Sequence, residues 1–187
     1  MKRSISFLAA LTLILTLAAC GDGGLDLNPG GGQKDDPKVQ YGEIGDTLST
    51  EWFTFSVDTV RCCDQYGGYA AGDGNQLVVA ALTLKNTCGS AVEMWEDDFV
   101  ILWDDPDEDS GIDIPLSAGL DGGQFPDEYT LGNKETKTGE LVFEVPADFE
   151  EFAIGFQEIY VDEDNPDNEE GIEGNTFFVT FHTGETQ

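Results

Sequence analysis

Short runs in which apolar and polar residues alternate constrain the fold of this chain more than any other feature of its sequence. Phe53, Phe55 and Val57 would line one face of a strand, while residues 77–84 are apolar on both faces, as a central strand requires. Four further runs cover residues 99–103, 141–145, 152–156 and 177–181. Turn-forming residues separate the runs. The sequence therefore predicts an all-β fold, a β-sandwich of about seven strands, and the same periodicity fits a small barrel.

The chain is strongly acidic, with 38 Asp and Glu residues against 8 Lys and Arg and a formal net charge of −30. A surface of this charge repels the phosphates of DNA and RNA, and it attracts cations and basic partners. The hydrophobic fraction of 40% still suffices for a folded core. We therefore expect a folded domain with an acidic surface that does not bind nucleic acid.

The N-terminus has the order of a secretory signal: Lys2 and Arg3, an apolar run over residues 5–19, and small residues before Cys20. The run is shorter than the roughly 20 residues that span a bilayer. The small residues and Cys20 resemble the lipobox of bacterial lipoproteins, in which this cysteine is acylated. The resemblance implies an extracytoplasmic protein anchored to the bacterial cell membrane through lipid on Cys20. An ordinary signal peptide with a chance cysteine is the alternative.

The sequence divides into three parts. Residues 1–19 are the predicted lipoprotein signal peptide. Residues 20–40 hold the lipidated cysteine and a Gly-rich tether, with an r.m.s. span of about 25 Å. Residues 41–187 are the predicted folded domain, long enough for a single core.

Three segments of the domain carry a family resemblance. Gly45-Asp46-Thr47 leads into the first run, residues 74–87 end in Lys-Asn-Thr, and residues 139–146 read Gly-Glu-Leu-Val-Phe-Glu-Val-Pro. In this order they resemble a large family of extracellular lipoprotein domains of unknown function, common in Gram-positive bacteria and similar to a secreted mycobacterial immunoprotective antigen. The resemblance covers most of residues 41–182 and implies an immunoglobulin-like antiparallel β-sandwich. The family has no agreed catalytic residues.

Three cysteines lie in the domain: Cys62, Cys63 and Cys88. Outside the cytoplasm a disulfide is expected, and adjacent cysteines bridge each other only with strain. We therefore predict a disulfide of Cys88 with Cys62 or Cys63. A thiolate metal site is the alternative, although adjacent cysteines chelate poorly.

Two acidic segments, residues 104–111 and 162–171, each follow a predicted strand. Carboxylates on turn-rich loops are the ligands that Ca²⁺ prefers, although neither segment has the register of an EF-hand. Charged surface loops are the alternative interpretation. Ca²⁺ is the one candidate cofactor, and its candidate ligands are Asp105, Asp107, Asp109, Asp162, Asp164 and Asp167.

Aromatic residues give a second candidate contact site. Tyr66 and Tyr69 flank two glycines and could contact a sugar or a peptide, or pack on the edge of the domain. Trp95 and Trp103 are interpreted as packing residues.

The sequence offers no clear catalytic arrangement. His182 is the one histidine, and no nucleophile motif lies near it in the sequence. We therefore predict a non-catalytic binding domain for a surface protein or a glycan. A Ca²⁺-dependent structural or adhesion module is the first alternative, and a glycan hydrolase with paired carboxylates is the second.

Overall fold

The computed structural model describes residues 38–103, 111–120, 122–162, 165 and 171–183 of the chain. This part is all-β, and it contains no helix that is long and apolar enough to cross a membrane. A 3₁₀ turn covers Glu96–Asp98. The strands are β1 (Val39–Glu43), β2 (Leu48–Ser49), β3 (Phe53–Cys63), β4 (Gln65–Tyr66), β5 (Tyr69–Ala70), β6 (Asn75–Asn86), β7 (Val92–Trp95), β8 (Phe99–Trp103), β9 (Gly111–Asp113), β10 (Glu128–Leu131), β11 (Thr136–Pro146), β12 (Glu151–Tyr160) and β13 (Ile172–His182).

Two sheets form a β-sandwich. One has five strands in the order β1-β13-β12-β8-β9, and the other has four in the order β11-β6-β3-β2. Two smaller two-stranded sheets, β10-β7 and β4-β5, accompany them. All pairs are antiparallel except β1, which runs parallel to β13. The core lies between the two larger sheets because inward residues of both belong to one buried cluster.

Phenylalanines dominate the middle of this core. The rings of Phe53 and Phe156, from opposite sheets, have centroids 5.0 Å apart in an edge-to-face arrangement. Phe55 meets Phe99 in the same way at 5.4 Å. Phe177 of β13 lies 6.2 Å from Phe55. Such pairs add to the free energy gained by burial, so they stabilise one relative position of the two sheets.

The sequence prediction of an all-β sandwich is confirmed, and each of the six apolar runs lies on a strand: β3, β6, β8, β11, β12 or β13. The prediction did not include the parallel pairing of β1 or the short strands. Strands of two to four residues have too few positions for alternation to show, and β1, with five residues, buries only Gly42.

The structure corrects the predicted disulfide. Cys62, Cys63 and Cys88 are free thiols. Cys62 lies opposite Val78, whereas Cys88 follows Asn86, the last residue of β6. The strand between these two positions is about 27 Å long at about 3.4 Å per residue. A disulfide needs Cα atoms within about 7 Å, so β6 keeps Cys88 away from the other two thiols of the same chain.

Candidate functional site

The two candidate tyrosines belong to the β4–β5 hairpin. Its turn is Gly67-Gly68, with φ values of 54° and 88°, the conformation of a two-residue hairpin turn. A Cβ at Gly67 would lie 1.8 Å from the carbonyl oxygen of Leu120. The hairpin therefore packs directly against the loop that contains Leu120.

Tyr66 is part of the fold and not of the surface. Its side chain is 6% exposed, and its hydroxyl donates a hydrogen bond of 2.6 Å to Glu140 Oε2. The guanidinium carbon of Arg61 lies 5.4 Å from the ring centroid. Tyr66 thus follows the alternative interpretation, in which the aromatic residue packs back on the domain.

Tyr69 remains partly accessible, since 36% of the residue is exposed. Its hydroxyl donates to Glu144, whose other oxygen accepts from Gly72 N and Asn75 Nδ2, each at 2.8 Å. These donors hold the pKa of Glu144 below its ordinary value, and Glu144 in turn raises the pKa of Tyr69. Ligand contact at Tyr69 stays a prediction.

A more open aromatic surface lies beside the β7–β10 sheet. Trp95 ends β7 opposite Glu128, and 44% of the residue is exposed. The rings of Phe125 and Tyr129 stack with centroids 5.4 Å apart. We call the depression between these groups the aromatic recess, and its lining includes Trp95, Glu96, Leu116, Phe125, Tyr129 and Glu140.

The aromatic recess is small and mostly apolar. Its volume is about 10 Å³, the space of about one water molecule. The core holds the recess in position, because Met94, the β7 residue directly before Trp95, is 1% exposed and belongs to the main core. Trp95 therefore lies on a hydrogen-bonded strand next to a buried core residue, and a rigid element of this kind positions a contact residue precisely.

Two carboxyl groups with raised pKa values lie on the 3₁₀ turn beside the recess, and one of them, Glu96, lines it. Burial is the largest cause for Glu96, followed by its hydrogen bond with Asp127 and the charge of Asp127. Burial also raises the pKa of Asp98 to about 7, against the hydrogen bond that the Trp95 backbone N–H donates to Asp98 at 2.8 Å. Glu96 Oε2 is enclosed and has no hydrogen-bond partner within the described residues. A cleft with perturbed carboxyl groups is a candidate functional site.

A cation already contacts one wall of this site. Lys137 Nζ lies 4.9 Å from the centroid of the Tyr129 ring, whose pKa is raised by burial and by the charge of Asp98. An ammonium group at this distance is attracted by the ring quadrupole. The walls of the recess are therefore chemically suited to positive charge.

The other predicted residues are only partly covered by the structure. Cys20 and the candidate Ca²⁺ ligands Asp105, Asp107, Asp109, Asp164 and Asp167 lie outside the described residues. Asp162 is described, and its Oδ1 accepts a hydrogen bond of 3.0 Å from Asn165 N. Within the described ranges no three His, Cys, Asp or Glu side chains form a metal-binding group. Calcium binding at the two acidic segments stays a prediction.

The remaining residues singled out in the sequence lie at strand ends. His182 ends β13, and its Nδ1 is 3.8 Å from Glu151 Oε1, with both side chains more than half exposed. Trp103 ends β8 and packs against Phe149 and Phe152 with ring centroids 6.4 Å apart in each pair. The packing interpretation thus holds for Trp103, while Trp95 differs because much of it faces solvent.

The fold is thus a β-sandwich with a small aromatic recess beside one of its smaller sheets. No protein-family model matches the chain, and no curated protein matches it. The structure is similar to ycdA from Bacillus subtilis, described as a candidate lipoprotein, with 15% identity and a TM-score of 0.54 over 77% of this chain. This chain spans 40% of the length of ycdA.

A second similar structure is the yjhA protein of Bacillus subtilis, at 16% identity and a TM-score of 0.52, with 72% of this chain and 98% of that chain covered. An uncharacterised β-sandwich protein of Clostridium difficile has 13% identity and a TM-score of 0.42, with 80% and 99% covered. At these identities the likeness to the two Bacillus subtilis proteins concerns the fold alone. None of the three is the mycobacterial antigen, so that part of the sequence resemblance gains no support from them.

Proposed function

We propose that this protein is a lipid-anchored extracytoplasmic binding domain, without catalytic activity, whose contact site is the aromatic recess. The observation that carries the proposal is the exposed Trp95 on a paired strand above a buried anchor, with Glu96 beside it. Tryptophan is the residue type most enriched among those that dominate binding energy. A β scaffold fixes its backbone before binding, which reduces the ordering cost.

The cellular location in this proposal rests on the signal-like N-terminus and on Cys20. The fold shared with ycdA, itself described as a candidate lipoprotein, is in keeping with it. We expect the mature protein to begin at an acylated Cys20, as intact-mass spectrometry of the protein from membranes would show. A mature N-terminus with an unmodified cysteine would contradict the anchor.

The non-catalytic part of the proposal rests on the recess itself. A space of about one water molecule does not enclose a reacting bond and its catalytic groups, which enzymes hold in larger clefts. The carboxyl groups at the rim are instead placed to contact a group that enters from solvent.

The contact site is tested with three classes of small probe: aliphatic amines, N-acetylated sugars and small carboxylates. We expect at least one class to bind the full-length protein in neutral detergent, as observed by ligand-detected NMR. Binding is expected to be lost in Trp95→Ala, because the ring supplies the exposed apolar contact. Tyr41→Ala is the matched control, since Tyr41 is 67% exposed on β1 of another sheet.

Two results would contradict the proposed site. One is that no probe class binds the wild-type protein. The other is that a bound probe remains equally bound by Trp95→Ala, whatever the effect of Tyr41→Ala. Circular dichroism and thermal unfolding of both variants establish that each is folded before its binding is compared.

A further inference from the structure

We propose that the aromatic recess binds the primary ammonium group of a lysine side chain on a partner protein. This inference rests on the proposed function and names the chemistry of the ligand. It follows from the size of the recess, from its lining and from the charge around it.

The size of the recess favours a small head group. Its volume of about 10 Å³ is that of about one water molecule, and an ammonium group is of similar size. A guanidinium group is planar and larger, and a sugar ring is larger still. The recess therefore discriminates for lysine against arginine by fit.

The lining of the recess matches the rest of a lysine side chain. Trp95, Leu116 and Phe125 offer apolar surface at the rim. Lysine buries its aliphatic stem along such surface while its charged end reaches a polar partner. The exposed ring of Trp95 also attracts a cation over its face.

A carboxyl group in the lining supplies the polar partner of the ammonium group. Glu96 lies in the lining, and its Oε2 is enclosed without a hydrogen-bond partner among the described residues. Glu96 already engages Asp127 and Ser117, and a small movement of its partly exposed side chain would offer the remaining oxygen to an ammonium group, which carries three donors. Asp127 adds negative charge beside Glu96, whereas the Glu140 carboxylate in the lining is paired with Arg61 at 3.4 Å and Lys137 places a positive charge over the Tyr129 ring.

The partner is inferred from charge complementarity. The chain has a formal net charge of −30, so a surface that presents lysines is steered toward it, whereas a second copy of the same chain is repelled. This complementarity selects a basic protein as the occupant.

The test compares three synthetic peptides of the same Gly-Ser backbone that carry lysine, arginine or Nε-acetyl-lysine. We expect the lysine peptide to bind the full-length protein in neutral detergent roughly tenfold more tightly than the acetylated peptide, since a hydrogen bond to a charged group is lost. The arginine peptide is expected to bind more weakly than the lysine peptide. Tryptophan fluorescence reports the titration.

Two variants separate recess binding from general attraction to an acidic surface. Glu96→Gln is expected to weaken lysine-peptide binding roughly tenfold. Glu93→Gln removes the same charge from the exposed face of β7 and is expected to change the affinity less than twofold. Equal weakening by both variants, or equal affinity for lysine and acetyl-lysine peptides, would overturn the inference.

The failure of this inference can be told apart from the failure of the proposed function. If a sugar or carboxylate probe binds and is lost in Trp95→Ala while the lysine peptide does not bind, the recess is a contact site for another chemistry. If no probe and no peptide binds, both proposals are wrong.

Discussion

Replacement of Glu158 by alanine is expected to lower the free energy of unfolding by about 3–5 kcal/mol, the largest effect of any single change proposed for this protein. Glu158 is fully buried and carries no cationic partner among the contacts of its two oxygens. It is held by hydrogen bonds alone. Each buried donor that loses its acceptor costs about 1–3 kcal/mol, and several lose theirs together.

The donors come from three separate parts of the sandwich. Glu158 Oε1 accepts from Glu51 N at 2.6 Å, at the turn between β2 and β3. Oε2 accepts from the Tyr160 hydroxyl at 3.0 Å and from Asn175 N and Nδ2 at 3.1 and 2.9 Å. Because β12 shifts register between Gln157 and Ile159, Glu158 turns toward these groups. The carboxylate therefore fastens one end of the two sheets together.

Urea unfolding measures the effect, and Glu151→Ala is the matched control. Glu151 lies on the same strand with its side chain 83% exposed, so its loss is expected to change the stability by less than about 0.5 kcal/mol. The loss of stability in Glu158→Gln should fall between the losses in the two alanine variants, because one acceptor oxygen is replaced by an amide NH₂ group that faces donors. A Glu158→Ala variant as stable as Glu151→Ala would show that the buried network does not hold the sheets.

Replacement of Asp98 by asparagine is expected to stabilise the protein at pH 8 by about 2 kcal/mol and to change its stability little at pH 4. Burial raises the pKa of Asp98 from 3.8 to about 7 in the folded protein. The folded state thus holds this proton more tightly than the unfolded state does. Stability from this group is fully present below pH 3.8 and is lost as the pH rises to about 7.

The expected change in the free energy of unfolding is smaller than the full value of the Asp98 pKa shift, because Asp98 is partly exposed and solvent screens its charge. Asparagine keeps an oxygen to accept the hydrogen bond from Trp95 N. Thermal unfolding between pH 4 and pH 8 measures the difference between wild type and variant. Asp73→Asn, in an exposed turn, should leave the profile parallel to that of the wild type. A constant offset between Asp98→Asn and wild type at every pH would contradict the assignment.

The main strands of this fold could be predicted from sequence because each contains an alternating or a continuously apolar run of at least five residues. β3 and β6 are the clearest cases, with 11 and 12 residues. β1 could not be assigned in the same way, since its parallel partner β13 lies at the other end of the chain. The disulfide was mispredicted because distance along the sequence does not report where the ends of a hairpin lie.

The aromatic recess could not be predicted because its parts come from distant segments. Trp95 was interpreted as a packing residue, and a lone aromatic residue in a sequence carries no sign of its exposure. Its exposure depends on the pairing of β7 with β10, which also brings Glu96 N within 2.8 Å of Asp127 O. The acidic residues of 96–98 beside a tryptophan were the one available signal, and acidic residues are common throughout this chain.

The central claim, that a lysine ammonium enters the aromatic recess, is tested most directly by the indole N–H signals of the three tryptophans in ¹⁵N-labelled full-length protein. The account predicts that the lysine peptide shifts the Trp95 signal and leaves those of Trp52 and Trp103 in place, since both are only partly buried packing residues of the main core. A titration that shifts all three signals alike, or that moves Trp52 or Trp103 and not Trp95, would contradict it.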